Sequence, residues 1–336
     1  MKALDLIAKP NEHPFAPYVR ILGKGKTGSR SLQRAEARLA MGMILRGEVE
    51  PEQLGAFLML LRVKEETAEE LTGFVEAARD VIAAPDTIAV DLDWSSYAGK
   101  KRQLPWYLLS ALTLADQNLR VFMHGAGGHT IGRMYTESVL IALGMQPARH
   151  WKDVAHQLDK TNFAFLPLQQ MCAPLQQMID LRNVLGLRSP VHTLARLLNP
   201  LAAPCSVQSI FHPPYALKHQ HAELALAQPH SAVFKGEGGE VERKPEANCT
   251  VYSVHSGVIS EEVWPKLTDG RQEQPETLDI EHLRAVWRGE KHDEYGEFAV
   301  IGTLAIVLKL MGRAEDQTHA MSLARQAWTQ RNRERI

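Results

Sequence analysis

The chain has 336 residues, 45% of them apolar and 23% charged, with 38 Lys and Arg against 39 Asp and Glu. That apolar content is too high and that charge too mixed for a disordered chain, and 23 Gly with 18 Pro are too few for a fibrous one. At roughly 100–200 residues per domain, one large or two modest domains are expected.

The apolar stretch over residues 299–308 is ten residues long, about half of the roughly 20 that a membrane span requires. No contact with a membrane is therefore expected. The opening MKALDLIAKP carries Asp5 inside what would have to be an apolar signal core, and no small-residue cleavage site follows, so a cytoplasmic protein without signal peptide is expected. Cys172, Cys205 and Cys249 are odd in number and form no CxxC pair, which argues against a disulfide framework and a thiolate zinc site.

The near-neutral total conceals opposed blocks. Residues 1–46 hold nine Lys and Arg against three acids, and residues 65–93 hold nine acids against one Arg. Between Asp180 and Glu223 there is no acid, while Arg182, Arg188, Arg196 and Lys218 stand there with four His; residues 261–297 return to eleven acids against five bases. Such asymmetry is either an anion-binding face or a set of patches that average out once folded.

Taken in chain order, Ser31 is a candidate cap for a helix running to Leu45 and ending at Gly47. Pro51 sits in the first turn of the next helix, with Leu54, Phe57, Leu58 and Leu61 at helical spacing. Thr67-Ala68-Glu69-Glu70 is a capping box opening a third. After Pro85 the texture changes. Residues 87–92 (TIAVDL) and 119–123 (LRVFM) predict strands, with a helix over 104–115 between them and another near 135–143. Further strands are expected near 206–211, 231–234 and 250–254, and helices from Ile280 onward. Alternating strands and helices imply a parallel sheet. The expectation is an α/β protein: a small helical domain over 1–83, which would serve dimerisation, and a larger domain over 84–336 with a central, mostly parallel sheet.

Four segments offer chemistry. The loop Gly23-Lys24-Gly25-Lys26-Thr27-Gly28 contains Gly-Lys-Thr, but Arg20 stands where a P-loop needs its first glycine and no strand precedes it. What remains is a basic loop feeding Arg30, Arg34 and Arg38 at four-residue spacing, either a phosphate-contacting stripe or a solvated helix face. His124-Gly125-Ala126-Gly127-Gly128-His129 lies between a strand and a helix, where successive backbone N–H groups can hold an anion. Lys100-Lys101-Arg102 stands ahead of the helix containing Pro105, where the helix dipole favours anions, so an external anion is expected to complete it. Arg188, His192 and Arg196 repeat every four residues, with Ser189 as cap and Pro190 in the first turn. Glu237 and Glu240 are either two ligands for Mg²⁺ or a plain surface turn, and His219-Gln220-His221 has the wrong spacing for a metal on one helix face. No resident metal is assigned.

These motifs resemble a family. Residues 31–80, with the run GEVEPEQLGAFLMLLRVKEETAEELTGF, are similar to the N-terminal helical domain of anthranilate phosphoribosyltransferase, as is the segment from Arg182 through Gly186 and Arg188 to Asn199-Pro200. The resemblance implies the phosphoribosyltransferase/nucleoside phosphorylase-like fold and a homodimer, and Arg182 matches the family arginine that faces anthranilate. The departures are equally specific. In place of the family's Gly-Thr-Gly-Gly-Asp diphosphate loop stands Ser95-Ser96-Tyr97-Ala98-Gly99-Lys100-Lys101-Arg102; Lys-His-Gly-Asn survives as Met123-His124-Gly125-Ala126; and the Mg²⁺-binding Asp-Glu pair has no clean counterpart. This substituted pattern, continuing with His212-Pro213 and Tyr215, is similar to a bacterial paralogue group that includes nucleic-acid-binding members. That resemblance implies a DNA- or RNA-binding homodimer without cofactor. Lys100, Lys101, Arg102, His124, Gly125, Arg182, Arg188, His192, Arg196, Lys24, Lys26 and Arg30 would meet phosphates, and Tyr97 would stack a base. The alternative is a phosphoribosyl- or glycosyltransferase, Mg²⁺-dependent, taking a small phosphorylated ligand and an aromatic or nucleobase-like acceptor.

Overall fold

The computed structural model describes residues 7–270, 275 and 277–336; Asp5 in the opening segment and Arg271, Glu273 and Glu276 of the C-terminal acidic block lie outside them. Four helices open the chain: α1 (Ala16–Gly23), α2 (Arg34–Leu45), α3 (Pro51–Lys64) and α4 (Ala68–Ile82). Pro51 starts α3, and Thr67 caps α4 by accepting the Glu70 N–H at 3.2 Å while the Glu70 carboxylate accepts the Thr67 N–H at 2.9 Å. The expected start of α2 at Ser31 is corrected to Arg34, with Gln33 as cap. The reason is tertiary: the Leu32 N–H is taken by Glu70 at 2.8 Å and the Ser31 hydroxyl by Lys64 at 3.0 Å, holding this stretch out of the helix.

α2 and α4 cross closely at Gly73. A Cβ there would stand 2.2 Å from the Arg34 carbonyl oxygen and 2.9 Å from the Ala37 Cβ. Two ion pairs also join the helices, Arg34 to Glu76 at 2.5 Å and Arg38 to Asp80 at 2.7 Å.

Strands and helices then alternate: β1 (Leu92–Ser96), α5 (Trp106–Asp116), β2 (Val121–Gly125), α6 (Thr136–Ala142), α7 (Trp151–Thr161) and β3 (Phe163–Pro167). Four short helices follow, α8 (Leu168–Met171), α9 (Ala173–Asp180), α10 (Arg182–Leu185) and α11 (Val191–Leu194). The chain returns to the sheet through β4 (Cys205–Ile210), α12 (Tyr215–Ala225), β5 (His230–Lys235), β6 (Cys249–His255) and β7 (Val258–Trp264). It ends in α13 (Ile280–Arg288), α14 (Glu294–Leu310) and α15 (Gln317–Thr329). The seven strands lie in the order β3-β2-β1-β4-β5-β6-β7, parallel through β5 and antiparallel beyond it. The expected strand over 87–92 begins instead at Leu92. Ile88 and Val90 bury their side chains in the helical core, and pairing starts where Leu92 meets Val121.

Two apolar layers sandwich the sheet. One joins it to α5, α13, α14 and α15, and it absorbs the apolar run of α14, which is buried on nearly every side. The other joins α1–α4 to the segment 163–203, so the N-terminal helices share their core with helices that follow β3. Among the described residues no helix is long and apolar enough to cross a membrane.

A polar network is buried between β4 and α12. Glu223 accepts from Ser206 at 3.2 Å and from the Gln208 amide, and His219 shares a 2.6 Å hydrogen bond with Gln208. Burial pushes the Glu223 carboxyl up to about 8 against the pull of Arg79, and pushes His219 down to about 3. Both are therefore uncharged at neutral pH, the inexpensive way to bury them.

Gly73→Ala is expected to lower unfolding free energy by about 2 kcal/mol, the usual scale of overpacking; unchanged urea stability would contradict the close crossing. Glu223 supplies a pH test. Its folded value lies above the unfolded one, so the native state holds the extra proton and stability falls as pH rises from about 4.5 to about 8. Relative to wild type, Glu223→Gln should show a flatter stability profile across that window by chemical denaturation.

Candidate anion-binding site

The parallel strands run β1-β2-β3 to one side and β4-β5 to the other, so the order reverses between β1 and β4. A crevice opens beyond the carboxyl ends of such a pair, and this is where open α/β sheets bind ligands. Here the crevice is flanked by the loop 97–105 after β1, the loop 126–135 after β2 and the turn 236–243 after β5.

The loop after β1 is held from three directions. Gly99 has a φ of +70°, and a Cβ there would stand 2.8 Å from the Tyr135 ring. The Lys100 N–H donates to the Met134 carbonyl at 2.8 Å, and the Met134 N–H donates back at 2.7 Å. The Lys100 side chain turns inward and pairs with Glu242 at 2.5 Å, both groups being at most 1% exposed. The second Glu242 oxygen accepts the Tyr107 N–H at 2.9 Å. Burial pushes the Glu242 carboxyl up to about 7, with Lys100 pulling the other way. Beside it, one Glu240 oxygen accepts the N–H groups of Ala98 and Gly99 at 2.7 and 2.6 Å.

Three expectations change here. Lys100 leaves the phosphate-contacting set, because its ammonium is spent inside the protein. Glu240 is no surface turn, and Glu237 lines a groove instead. The carboxylates near this turn do not fit Mg²⁺: Glu242 faces an ammonium and Glu240 faces backbone donors, and among the described residues no cluster of three or more His, Cys, Asp or Glu suits a metal. Lys101 and Arg102 do remain exposed.

His124 is fully buried, with one ring nitrogen 2.6 Å from the Tyr97 hydroxyl and the other 3.3 Å from Asp93. Neither His124 nor Tyr97, 1% exposed, can reach a ligand, so the expected phosphate contact and base stack are corrected. Gly125 closes β2 against Ser96, where a Cβ would stand 2.1 Å from the carbonyl oxygen; its role is close packing. Arg30 is bonded to Glu36 at 2.6 Å and belongs to the bundle. Lys24 and Lys26 are exposed on the loop after α1 and line neither cavity described below.

The acid-free segment supplies what converges. Arg188, His192 and Arg196 share no helix face, since α11 is only four residues long and Arg188 precedes it, yet all three line one small cavity of about 120 Å³. Arg182 donates to the His129 carbonyl at 2.7 Å and to the Thr130 hydroxyl, and Arg188 reaches the same hydroxyl at 3.5 Å. Arg133 donates to the carbonyls of Ala98 and Gly99, each at 2.9 Å, and Arg196 to that of His192. Among the described residues none of these four guanidinium groups makes a salt bridge; burial lowers the Arg196 value, and the fields of Glu240 and Tyr97 act against it.

The consequences appear in the neighbours. Burial, then repulsion from Arg133, Arg182 and Arg196, pushes Arg188 down to about 10. Burial, against a hydrogen bond to the Tyr97 carbonyl and joined by repulsion from Arg188, Arg196 and Arg182, pushes His129 down to about 4. Burial with repulsion from His129, Arg196 and Arg188 puts His192 well below its ordinary value. His192 Nε2, the Ser189 hydroxyl and the Tyr135 hydroxyl are buried without a hydrogen-bond partner among the described residues. Concentrated positive charge with unsatisfied polar groups nearby is the chemistry of an anion site.

A second, larger groove of about 580 Å³ adjoins the first and is lined by Lys101, Arg102, Arg133, Lys235 and Lys244, with Glu237. Of these, Lys244 is paired with Glu246 at 3.1 Å. The two cavities share Ile210 and Phe211 at the end of β4. Arg133, Lys235 and Phe211 were not foreseen from the sequence. Lys235 and Phe211 were findable, since each sits where a strand of a parallel sheet ends.

Comparison with known proteins adds lineage. The helical bundle domain of a glycosyl transferase family matches residues 17–81, and the α/β domain of that family matches residues 107–330. The chain is 31% identical over 206 residues to the uncharacterized protein YbiB of Escherichia coli K12, covering 60% of this chain and 64% of that protein, just under two thirds of its length. It is 30% identical to the anthranilate phosphoribosyltransferase of Methylobacterium nodulans, covering 93% of this chain and 94% of that one. In fold it is similar to the crystal structure of anthranilate phosphoribosyltransferase from Thermus thermophilus, with a TM-score of 0.77 and 22% identity over 93% of this chain and 94% of that one.

Lys100→Met should cost about 3–5 kcal/mol of unfolding free energy at pH 8, because it strands a buried carboxylate. Adding Glu242→Gln should recover most of that loss in the same denaturation assay. Lys101→Ala with Arg102→Ala should stay within about 0.5 kcal/mol of wild type, as exposed side chains do.

Proposed function

Because the chain belongs to the anthranilate phosphoribosyltransferase-like glycosyl transferase family and carries both its helical bundle and its α/β domain, we propose that it uses the crevice of that fold to bind nucleic acid by the phosphate backbone. The observation that carries this reading is the run of cations along the crevice that make no salt bridge among the described residues: Lys101, Arg102, Arg133 and Lys235 in one cavity, Arg188 and Arg196 in the next, with Arg182 beside them. Neutralising phosphates releases counterions, so affinity of this kind falls steeply with salt and carries little sequence preference. The diphosphate–metal chemistry of the family is given up in this reading, since Lys100 takes the carboxylate that a divalent cation would need. A homodimer is part of the proposal, supported by Leu39 and Val63, which stand 58% and 83% exposed on the helical bundle.

A second reading is a transferase for a small phosphorylated donor and an aromatic or nucleobase-like acceptor. It is favoured by Arg182, whose guanidinium is fixed by the His129 carbonyl and the Thr130 hydroxyl.

Fluorescence-anisotropy titration of an oligonucleotide at several salt concentrations separates the two. The logarithm of affinity should fall linearly with the logarithm of salt, and Arg102→Ala or Arg188→Ala should each reduce the slope by about 1, as one phosphate fewer is neutralised. No binding at low salt would overturn the nucleic-acid reading and leave the transferase, to be assayed with ribose-phosphate donors.

A further inference from the structure

Of the chain's nine Phe, seven Tyr and six Trp, all within the described residues, Phe211 alone is exposed, at 51%. It follows directly on β4, every residue of which is buried, and its neighbour Ile210 is 4% exposed. Folding therefore places a rigid apolar ring in solvent next to a strand that is otherwise entirely inside.

The surroundings explain its use. Phe211 borders both cavities, the groove with Lys101, Arg102 and Arg133 on one side and the pocket with Arg188 and Arg196 on the other. It rests against the turn after β5, where Gly239 has a φ of +90° and a Cβ would stand 3.6 Å from the Phe211 Cβ. The His212 ring meets it edge-on, 4.9 Å between centroids at 79°. A supported aromatic between two cationic clefts is the arrangement that takes one phosphate chain and stacks its bases, which is how proteins hold single strands. In a duplex the base faces are already stacked on one another, and a ring at the surface meets only edges and backbone.

Resting on the nucleic-acid reading above, we propose that Phe211 is a base-stacking platform and that the strand held in the crevice is single. Any base offers a π face, so the platform adds affinity without adding sequence preference.

The test uses the full-length protein, a single-stranded oligonucleotide and the same strand with its central nucleotides abasic, so that charge is constant and only base faces differ. Wild type should bind the intact strand about tenfold more tightly than the abasic one, within the range of one stacked base. Phe211→Leu, which keeps apolar bulk without the π face, should erase that preference while leaving the salt slope unchanged, and Phe211→Trp should keep it. Equal affinity of wild type for the two strands, or a full preference in Phe211→Leu, would overturn the platform while leaving backbone binding standing. No binding of either strand at low salt would overturn both.

Discussion

The buried pair of Lys100 and Glu242 is the contact on which the crevice depends. It ties the loop after β1 to the turn after β5, across the neighbouring strand β4, and its desolvation is offset only because each partner is also held by other groups. Glu242 keeps the Tyr107 N–H, Glu240 keeps those of Ala98 and Gly99, and the Lys100 backbone is bridged to Met134. With Lys100 drawn inward, the next two residues face the groove. One ion pair thus removes a carboxylate from the crevice and presents Lys101 and Arg102 to it.

The rest of the charge sorts by whether it has a partner. The basic block at the start of the chain meets the acidic block that follows it, Arg34 finding Glu76 and Arg38 finding Asp80, and Lys64 of α3 finds Glu70 of the same acidic block. The exposed pairs among these add little stability, but they cancel the field of the helical bundle. After Asp180 the sequence has no acid until Glu223, and there Lys218 finds Glu65 at 2.7 Å while the three arginines find no acid among the described residues. Arg182, Arg188 and Arg196 hydrogen-bond to carbonyls and hydroxyls, which orient a guanidinium without neutralising it.

That contrast bears on what a sequence can reveal. The capping box at Thr67, the proline opening α3 and the β4, β5 and β6 strands were legible because short-range patterns determine them. β3 and β7 were missed, and β1 was set too early. FAFLP is short and strongly apolar, VISEEVW is an exposed edge strand, and Ile88 and Val90 answer to the helical core rather than to a neighbouring strand. In the site, the acid-free stretch with Arg182, Arg188 and Arg196 was legible from composition. Which cations remain free was not. Lys100 and Lys101 are adjacent and identical, yet one is 1% exposed in an ion pair and the other lines the groove. Only the partner Glu242, 142 residues away in the chain, separates their roles.

The crevice also draws its charge from arginines rather than from its imidazoles. A cleft lined by His192 and arginines, with the His129 ring against that of His192, resembles a pH sensor, because imidazole ordinarily titrates near neutrality. Burial and repulsion from the guanidinium groups move both in the same direction, His129 to about 4 and His192 well down from its ordinary value. The same two forces act on Arg188 and bring it only to about 10, since a guanidinium starts so much higher. Desolvation therefore strips charge from the imidazoles and leaves it on the arginines. Across the range from mildly acidic to mildly alkaline, these arginines keep their charge, on side chains whose planar forks suit phosphate oxygens.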